Sequence, residues 1–202
     1  MIGAMARRAL QGAQSALERA QRASPVGTSA LTGFSVMAVG DGMVQVGTKS
    51  EGVDPQRLLV GSLYNGCVYS PLMFVWWGRL DRVWPGRTLG AVARKVIANQ
   101  FVVTPINSLA FISWTSTLGA AVGALRTGGE VDWAEVRTRT QKQLRTELPE
   151  LLAYSCCFWP VAHSLNFAFV PLPLRIVFMS ACSVGWGGYL SFCANRDRTR
   201  AS

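Results

Sequence analysis

Long apolar runs alternate with short polar links along this chain. Val26 to Gly47 is the first run and Leu58 to Trp77 the second. Ala91 to Leu125 is the third, with a basic beginning at Arg94 and Lys95. The last, Leu151 to Phe192, holds more than forty residues, and Arg175 is its one standard charge. A bilayer crossing takes about 20 apolar residues as a helix. Each run therefore predicts at least one spanning helix, and the last must cross, turn back, or lie partly along the membrane. Between Arg126 and Glu150 the pattern changes. Trp133, Val136, Thr140 and Leu144 are spaced three or four apart, opposite Arg137, Arg139, Lys142 and Arg145. That spacing predicts an amphipathic helix, placed at the membrane interface.

Local signals mark the joints. Ser24-Pro25 starts the first helix, and Lys49 to Arg57, with Pro55, is a polar link. Ser70-Pro71 predicts a kink in the second helix through a lost backbone hydrogen bond. Trp76 and Trp77 are expected to end that helix as an aromatic belt. Gly78 to Gly86 then reads as a loop turned by Pro85-Gly86, with Asp81 pairing with Arg79 or Arg82. Val170-Pro171-Leu172-Pro173 interrupts the last run. Five crossings divide the Lys and Arg residues ten to ten between the two sides, and four divide them twelve to seven. A bias towards one side is the usual pattern, so four crossings are favoured, with the last run making one net crossing.

Composition agrees with a membrane protein. Half the residues are hydrophobic and mean hydropathy is positive. The net charge is +9. The cations lie between the apolar runs rather than in one stripe, which suits lipid headgroups and not nucleic acid. Residues 1–25 form a basic arm with Arg7, Arg8, Arg19 and Arg22 against Glu18. The arm fits an uncleaved mitochondrial targeting segment or an interfacial helix. A bundle over 26–194 and a basic tail over 195–202 complete an all-α plan of four or five spans. Cys67, Cys156, Cys157, Cys182 and Cys193 form no CxxC pair, so buried, inert thiols are expected.

Candidate chemistry is sparse. Val26 to Gly47 is rich in small residues that let membrane helices approach closely. Asp41 is its sole carboxylate, placed either at headgroup level or facing into the bundle. Gln45, Asn99, Gln100, His163 and Asn166 are the other candidate buried or lining polar groups. No phosphate loop, zinc spacing or Ser-His-Asp order is present. The protein is expected not to be an enzyme and to need no metal or cofactor. Arg175, isolated among apolar residues, needs a carboxylate, a carbonyl or a lipid phosphate; an anionic lipid such as cardiolipin is one expected partner.

Several motifs recur together: Gly40-Asp41 with Gln45; Leu80-Asp81-Arg82 with Pro85-Gly86; Trp159-Pro160; Asn166-Phe167; Val170-Pro171 with Arg175; and Trp186 with Tyr189-Leu190-Ser191. Together they resemble the family of the 22-kDa peroxisomal membrane protein and its mitochondrial relative Mpv-seventeen. The resemblance implies a small organelle membrane protein of four spans. It implies the mitochondrial inner membrane or the peroxisomal membrane, with weakly selective pores among the members; the basic arm favours mitochondria. Where the family tends to carry Asp, Asn, Gln and Asn, this chain has Asn99, Ser155, His163 and Gly187. A pathway needs polar lining, whereas a scaffold needs only packing. The expectation is therefore an accessory subunit beside other membrane subunits, with a small-solute pore as the alternative. A tightly packed monomer without an open channel follows, with Asp41 capped by small-residue helices or paired to a cation such as Arg94 or Lys95.

Overall fold

Capping residues and prolines set where each helix begins. The computed structural model describes residues 12, 15, 16, 19–48 and 52–201; side chains of Thr48 and of residues 189–201 lie outside that description. Helix α1, Pro25–Thr48, opens with proline at its first position. Helix α2, Pro55–Val83, is capped by Asp54, whose Oδ1 accepts from the backbone N–H groups of Gln56 and Arg57 at 3.0 and 3.1 Å. Helix α3, Leu89–Thr127, starts on the Thr88 hydroxyl and stops at Gly128, where φ is 69°. Only glycine adopts that left-handed stop without steric cost. Helix α4, Trp133–Thr146, is capped by Asp132, and α5, Leu148–Phe169, follows with Pro149 in its first turn. Val170 is extended, as a residue before proline prefers, and one 3-10 turn, Leu172–Leu174, leads into α6, Arg175–Ala201.

The observed joints differ from expectation around Asp81. The chain around Asp81 is helical through Val83, so the loop is confined to residues 84–88. At Ser70-Pro71 the helix continues, and a π-helical turn, Asn65–Tyr69, absorbs the missing N–H of Pro71. The same device recurs at Asn99–Val103, before Thr104-Pro105. Each π turn begins with a buried asparagine and ends before a hydroxyl residue and a proline. That shared spacing is a short internal correspondence which hydropathy alone does not reveal. The last apolar run is two antiparallel helices. Phe158 of α5 stacks on Trp186 of α6 with ring centroids 5.0 Å apart.

By length and composition, α2 and α3 are suited to cross a membrane. Helix α1 packs against α2 and α6, while α3 packs against α2, α4 and α5. The apolar core sits where α2, α3, α5 and α6 meet, around Met73, Trp77, Val92, Phe167, Ile176 and Met179. Trp77 is fully buried there, which overturns the aromatic-belt expectation. Cys67, Cys156 and Cys157 are exposed on the helix surfaces rather than buried. The amphipathic helix forms as expected; Thr140 is buried, and Gln143 accepts from the Ser116 hydroxyl of α3 at 3.1 Å. Of the basic arm, Gln21 donates to the Pro173 carbonyl at 2.7 Å, which ties the arm to the α5–α6 turn. Tyr189, Cys193 and the tail cations fall outside the described side chains.

Small residues set the spacing of α1. A Cβ on Gly33 would overlap the Ser70 side chain and approach Asn65 Oδ1 to 2.7 Å. Ser70 is itself buried and donates to that oxygen at 2.9 Å, so it has no room to yield. Gly33→Ala is expected to cost about 1–3 kcal/mol through overpacking, seen as a lowered Tm in nanodiscs. A Cβ on Gly47 meets nothing within 4 Å, so Gly47→Ala serves as the control and leaves Tm unchanged or slightly raised.

Candidate functional site

Every helix α1 to α6 contributes to one cavity of about 920 Å3. On α3 the lining runs from Asn99 through Val103, Ser108, Ile112 and Thr115 to Gly119, a single helical face. At 1.5 Å per residue that face is about 30 Å long, comparable to the hydrocarbon thickness of a bilayer. The monomer is therefore not tightly packed throughout, since it holds this cavity. Close approach is local to α1 and its neighbours, and space remains between that trio and α3 with α5.

Charge is concentrated at one end of the cavity, where Asp41, Asp54, Arg57, Glu147 and Glu150 line it. Asp41 faces inward and is 8 % exposed. Its Oδ1 meets Arg57 Nη2 at 2.9 Å, and its Oδ2 accepts from Gln45 Nε2 at 2.6 Å. The partner is thus Arg57, not Arg94 or Lys95. Gln45 Oε1 accepts from the Asp54 backbone N–H at 2.6 Å, so the same amide joins α1 to the capped start of α2. The middle of the cavity is uncharged. Asn65, Ser108 and Ser155 line it, and the Tyr64 hydroxyl is 2.7 Å from Asn107 Oδ1. Ser108 and Ser155 are 7 % and 2 % exposed, and their hydroxyls, which bond to no protein group among the described residues, are not sealed off from the cavity.

The inner end is formed by Asn99 and His163. Trp76 and Trp77 both donate their indole N–H to Asn99 Oδ1, each at 3.2 Å. An indole can only donate, so the amide oxygen must face the two rings. The amide nitrogen then faces His163 Nε2 at 2.6 Å. A donor there requires Nε2 to accept, which makes the imidazole neutral with its proton on Nδ1. That Nδ1 has no partner. Trp159 and Phe167 flank the ring at 5.9 and 6.1 Å between centroids. Gln100 lies apart from the cavity lining, with Nε2 3.3 Å from Cys156 Sγ. Asn166 is fully buried, with neither side-chain polar atom bonded.

Beyond the core, Asp81 holds two buried cations. Lys95 Nζ lies 2.7 Å from Oδ1 and Arg175 Nη1 lies 2.8 Å from Oδ2. The side chains of Lys95 and Arg175 are 2 % and 4 % exposed. Neither Arg79 nor Arg82 is in this network, contrary to expectation. Lys95 also donates to the Gly86 carbonyl at 3.0 Å, which fixes the Pro85-Gly86 turn. Arg175 Nε donates to the Val170 carbonyl at 3.2 Å beside Pro171, and the guanidinium carbon sits 5.1 Å from the Phe167 ring centroid. Asp81 thus clamps α2, α3 and the start of α6. The carboxylate partner anticipated for Arg175 is Asp81.

The sequence did not point to Arg57, Asn107, Ser108, Trp76 or Trp77 as site residues, and it offered Lys95 to Asp41 rather than to Asp81. The buried asparagines before Ser70-Pro71 and Thr104-Pro105 were the available signal for the polar interior. Other partnerships join residues far apart in sequence and carry no local signature.

Fold and site define an all-α bundle of long apolar helices around a cavity whose mostly apolar wall carries scattered polar groups. Residues 134–191 match the model of the Mpv17 / PMP22 family. Protein SYM1 of Mycosarcoma maydis is 31 % identical over 164 residues, covering 80 % of this chain and 75 % of that protein. Mitochondrial inner membrane protein Mpv17 of Bos taurus is 28 % identical over 185 residues, covering 90 % and 97 %. PXMP2/4 family protein 4 of Dictyostelium discoideum is 25 % identical over 171 residues, covering 83 % and 85 %. No solved structure matches. The chain belongs to the Mpv17 / PMP22 family of membrane proteins.

Proposed function

We propose that this chain is a non-catalytic integral protein of the mitochondrial inner membrane, and that small polar solutes pass through its internal cavity. The relatives named as mitochondrial inner membrane proteins support the location. The antiparallel pairing of α5 and α6 favours five crossings, by α1, α2, α3, α5 and α6, over the four favoured by charge counting, and α2 and α3 are the two that are long and apolar enough by themselves. The cavity is the observation that carries the function: its size lies in the range of small-molecule sites, and its lining on α3, which alternates polar and apolar groups, is long enough to reach most of the way across a bilayer. The Asn99–His163 pair closes the inner end, so passage requires that pair to part.

The test is solute flux into proteoliposomes of the pure protein. Wild type is expected to admit a small polar solute faster than empty vesicles. Val103→Trp, which fills the cavity from α3, is expected to slow entry at least several-fold while the protein keeps its Tm. Equal rates with and without protein would remove the pathway reading. The accessory-subunit reading would then stand in its place. It is favoured by the internal pairing of Asp41 with Arg57 and Gln45, which leaves that carboxylate no need of a solute. Under it, the protein would be recovered from mild detergent only in a larger inner-membrane assembly.

A further inference from the structure

We infer that the middle of the cavity is a binding site for small uncharged hydroxylated solutes, with the hydroxyls of Ser108 and Ser155 as its contacts. Each hydroxyl bonds to no protein group and stays open to the cavity, so it is free to bond whatever occupies that space. Both are on residues that line the cavity, from α3 and from α5 respectively. Each hydroxyl can donate one hydrogen bond and accept others. A solute hydroxyl has the same dual capacity, so one polyol can satisfy both serines. Asn65 and Asn107 add amides of the same two-way character. Tyr64, Phe111 and Trp159 supply flat apolar walls between them.

The electrical environment selects against charge. The middle of the lining has no ionised group, and a charged solute desolvated there would lack a counter-ion. At the charged end four carboxylates face one arginine, and Arg57 is already engaged by Asp41. An anion meets net repulsion on entry. A neutral polyol carries no such penalty and finds hydroxyl and amide partners beyond.

The inference rests on the pathway reading for the route in, but the serines are tested separately. Full-length protein in proteoliposomes is compared for entry of erythritol, a neutral four-carbon polyol, and of sodium glycerate, an anion of similar size. Erythritol is expected to enter faster. In the Ser108→Ala/Ser155→Ala variant the erythritol-to-glycerate ratio should fall about tenfold, which is what two lost hydrogen bonds amount to. The variant should at the same time keep the Tm of wild type, because it removes hydroxyls that bond to nothing in the protein. A purely structural role for the serines would instead lower Tm and leave the ratio alone. The second measurement is thermal unfolding in nanodiscs. Erythritol should raise the Tm of wild type more than that of the variant. Wild type that admits both solutes equally leaves the pathway standing and overturns the polyol site. Flux absent from wild type but with the serine-dependent Tm shift retained overturns the pathway alone. An erythritol effect on Tm that is identical in the two proteins overturns the site whatever the flux shows.

Discussion

Asp81→Asn should destabilise the bundle by about 2–5 kcal/mol, the cost of leaving buried cations without their counter-charge. Lys95 and Arg175 are almost fully enclosed, and Asp81 supplies one carboxylate oxygen to each. Asparagine keeps one acceptor oxygen and no charge, so both cations lose their ion pair in one step. The Asp81 side chain is 31 % exposed, and water reaching it moderates the loss without removing it. Arg82→Ala, next along the helix and exposed, is the control and should stay within about 0.5 kcal/mol. A third variant separates charge from packing. Replacing Asp81, Lys95 and Arg175 together with Leu, Met and Met removes every charge at similar volume. A buried ionic cluster exchanged for apolar side chains is often neutral or stabilising, so the triple variant should be more stable than Asp81→Asn alone. Thermal unfolding in nanodiscs reads all three. Asp81→Asn with an unshifted Tm would mean that the clamp contributes nothing.

The same carboxylate shows where sequence reading stops. Arg79 and Arg82 lie two residues before and one after Asp81, which makes them the obvious partners in a loop. The segment is helical, and residues one or two apart on a helix point in different directions. The pairing therefore goes to Lys95, 14 residues on, and Arg175, 94 residues on. The helices themselves were legible, because apolar runs bounded by Pro25, Asp54-Pro55, Thr88 and Gly128 carry their own start and stop signals. The motif residues Trp159, Trp186 and Arg175 were legible too, as packing and tethering positions. The cavity was not. Small residues such as Gly33 and Gly40 do bring α1 tightly against α2 and α6, but that says nothing about the gap on the far side, between them and α3 with α5. Trp77 misled in the same way. An aromatic at a helix end suits the interface by type, and only the position of Asn99 on another helix turns its N–H into the core.

Asn99 carries the second large effect. Its oxygen accepts from two indoles and its nitrogen donates to His163, so three side chains depend on one amide. Asn99→Leu leaves the enclosed Trp77 N–H unpaired, along with the more accessible Trp76 N–H and the His163 acceptor. Each stranded buried group costs about 1–3 kcal/mol, and a loss of about 3 kcal/mol or more is expected. Asn99→Asp behaves differently. A carboxylate still accepts from both indoles, but it presents an oxygen to His163 Nε2 where the amide presented a donor. The imidazole must then carry a proton on Nε2. His163 is the chain's single histidine, so a nitrogen-15 histidine spectrum reports this site alone. Wild type should show the Nδ1–H tautomer, and Asn99→Asp should show protonation at Nε2 with a smaller loss of stability than Asn99→Leu. An Nε2–H tautomer in the wild-type spectrum would reverse the amide and undo the derived direction of every bond at the inner end of the cavity.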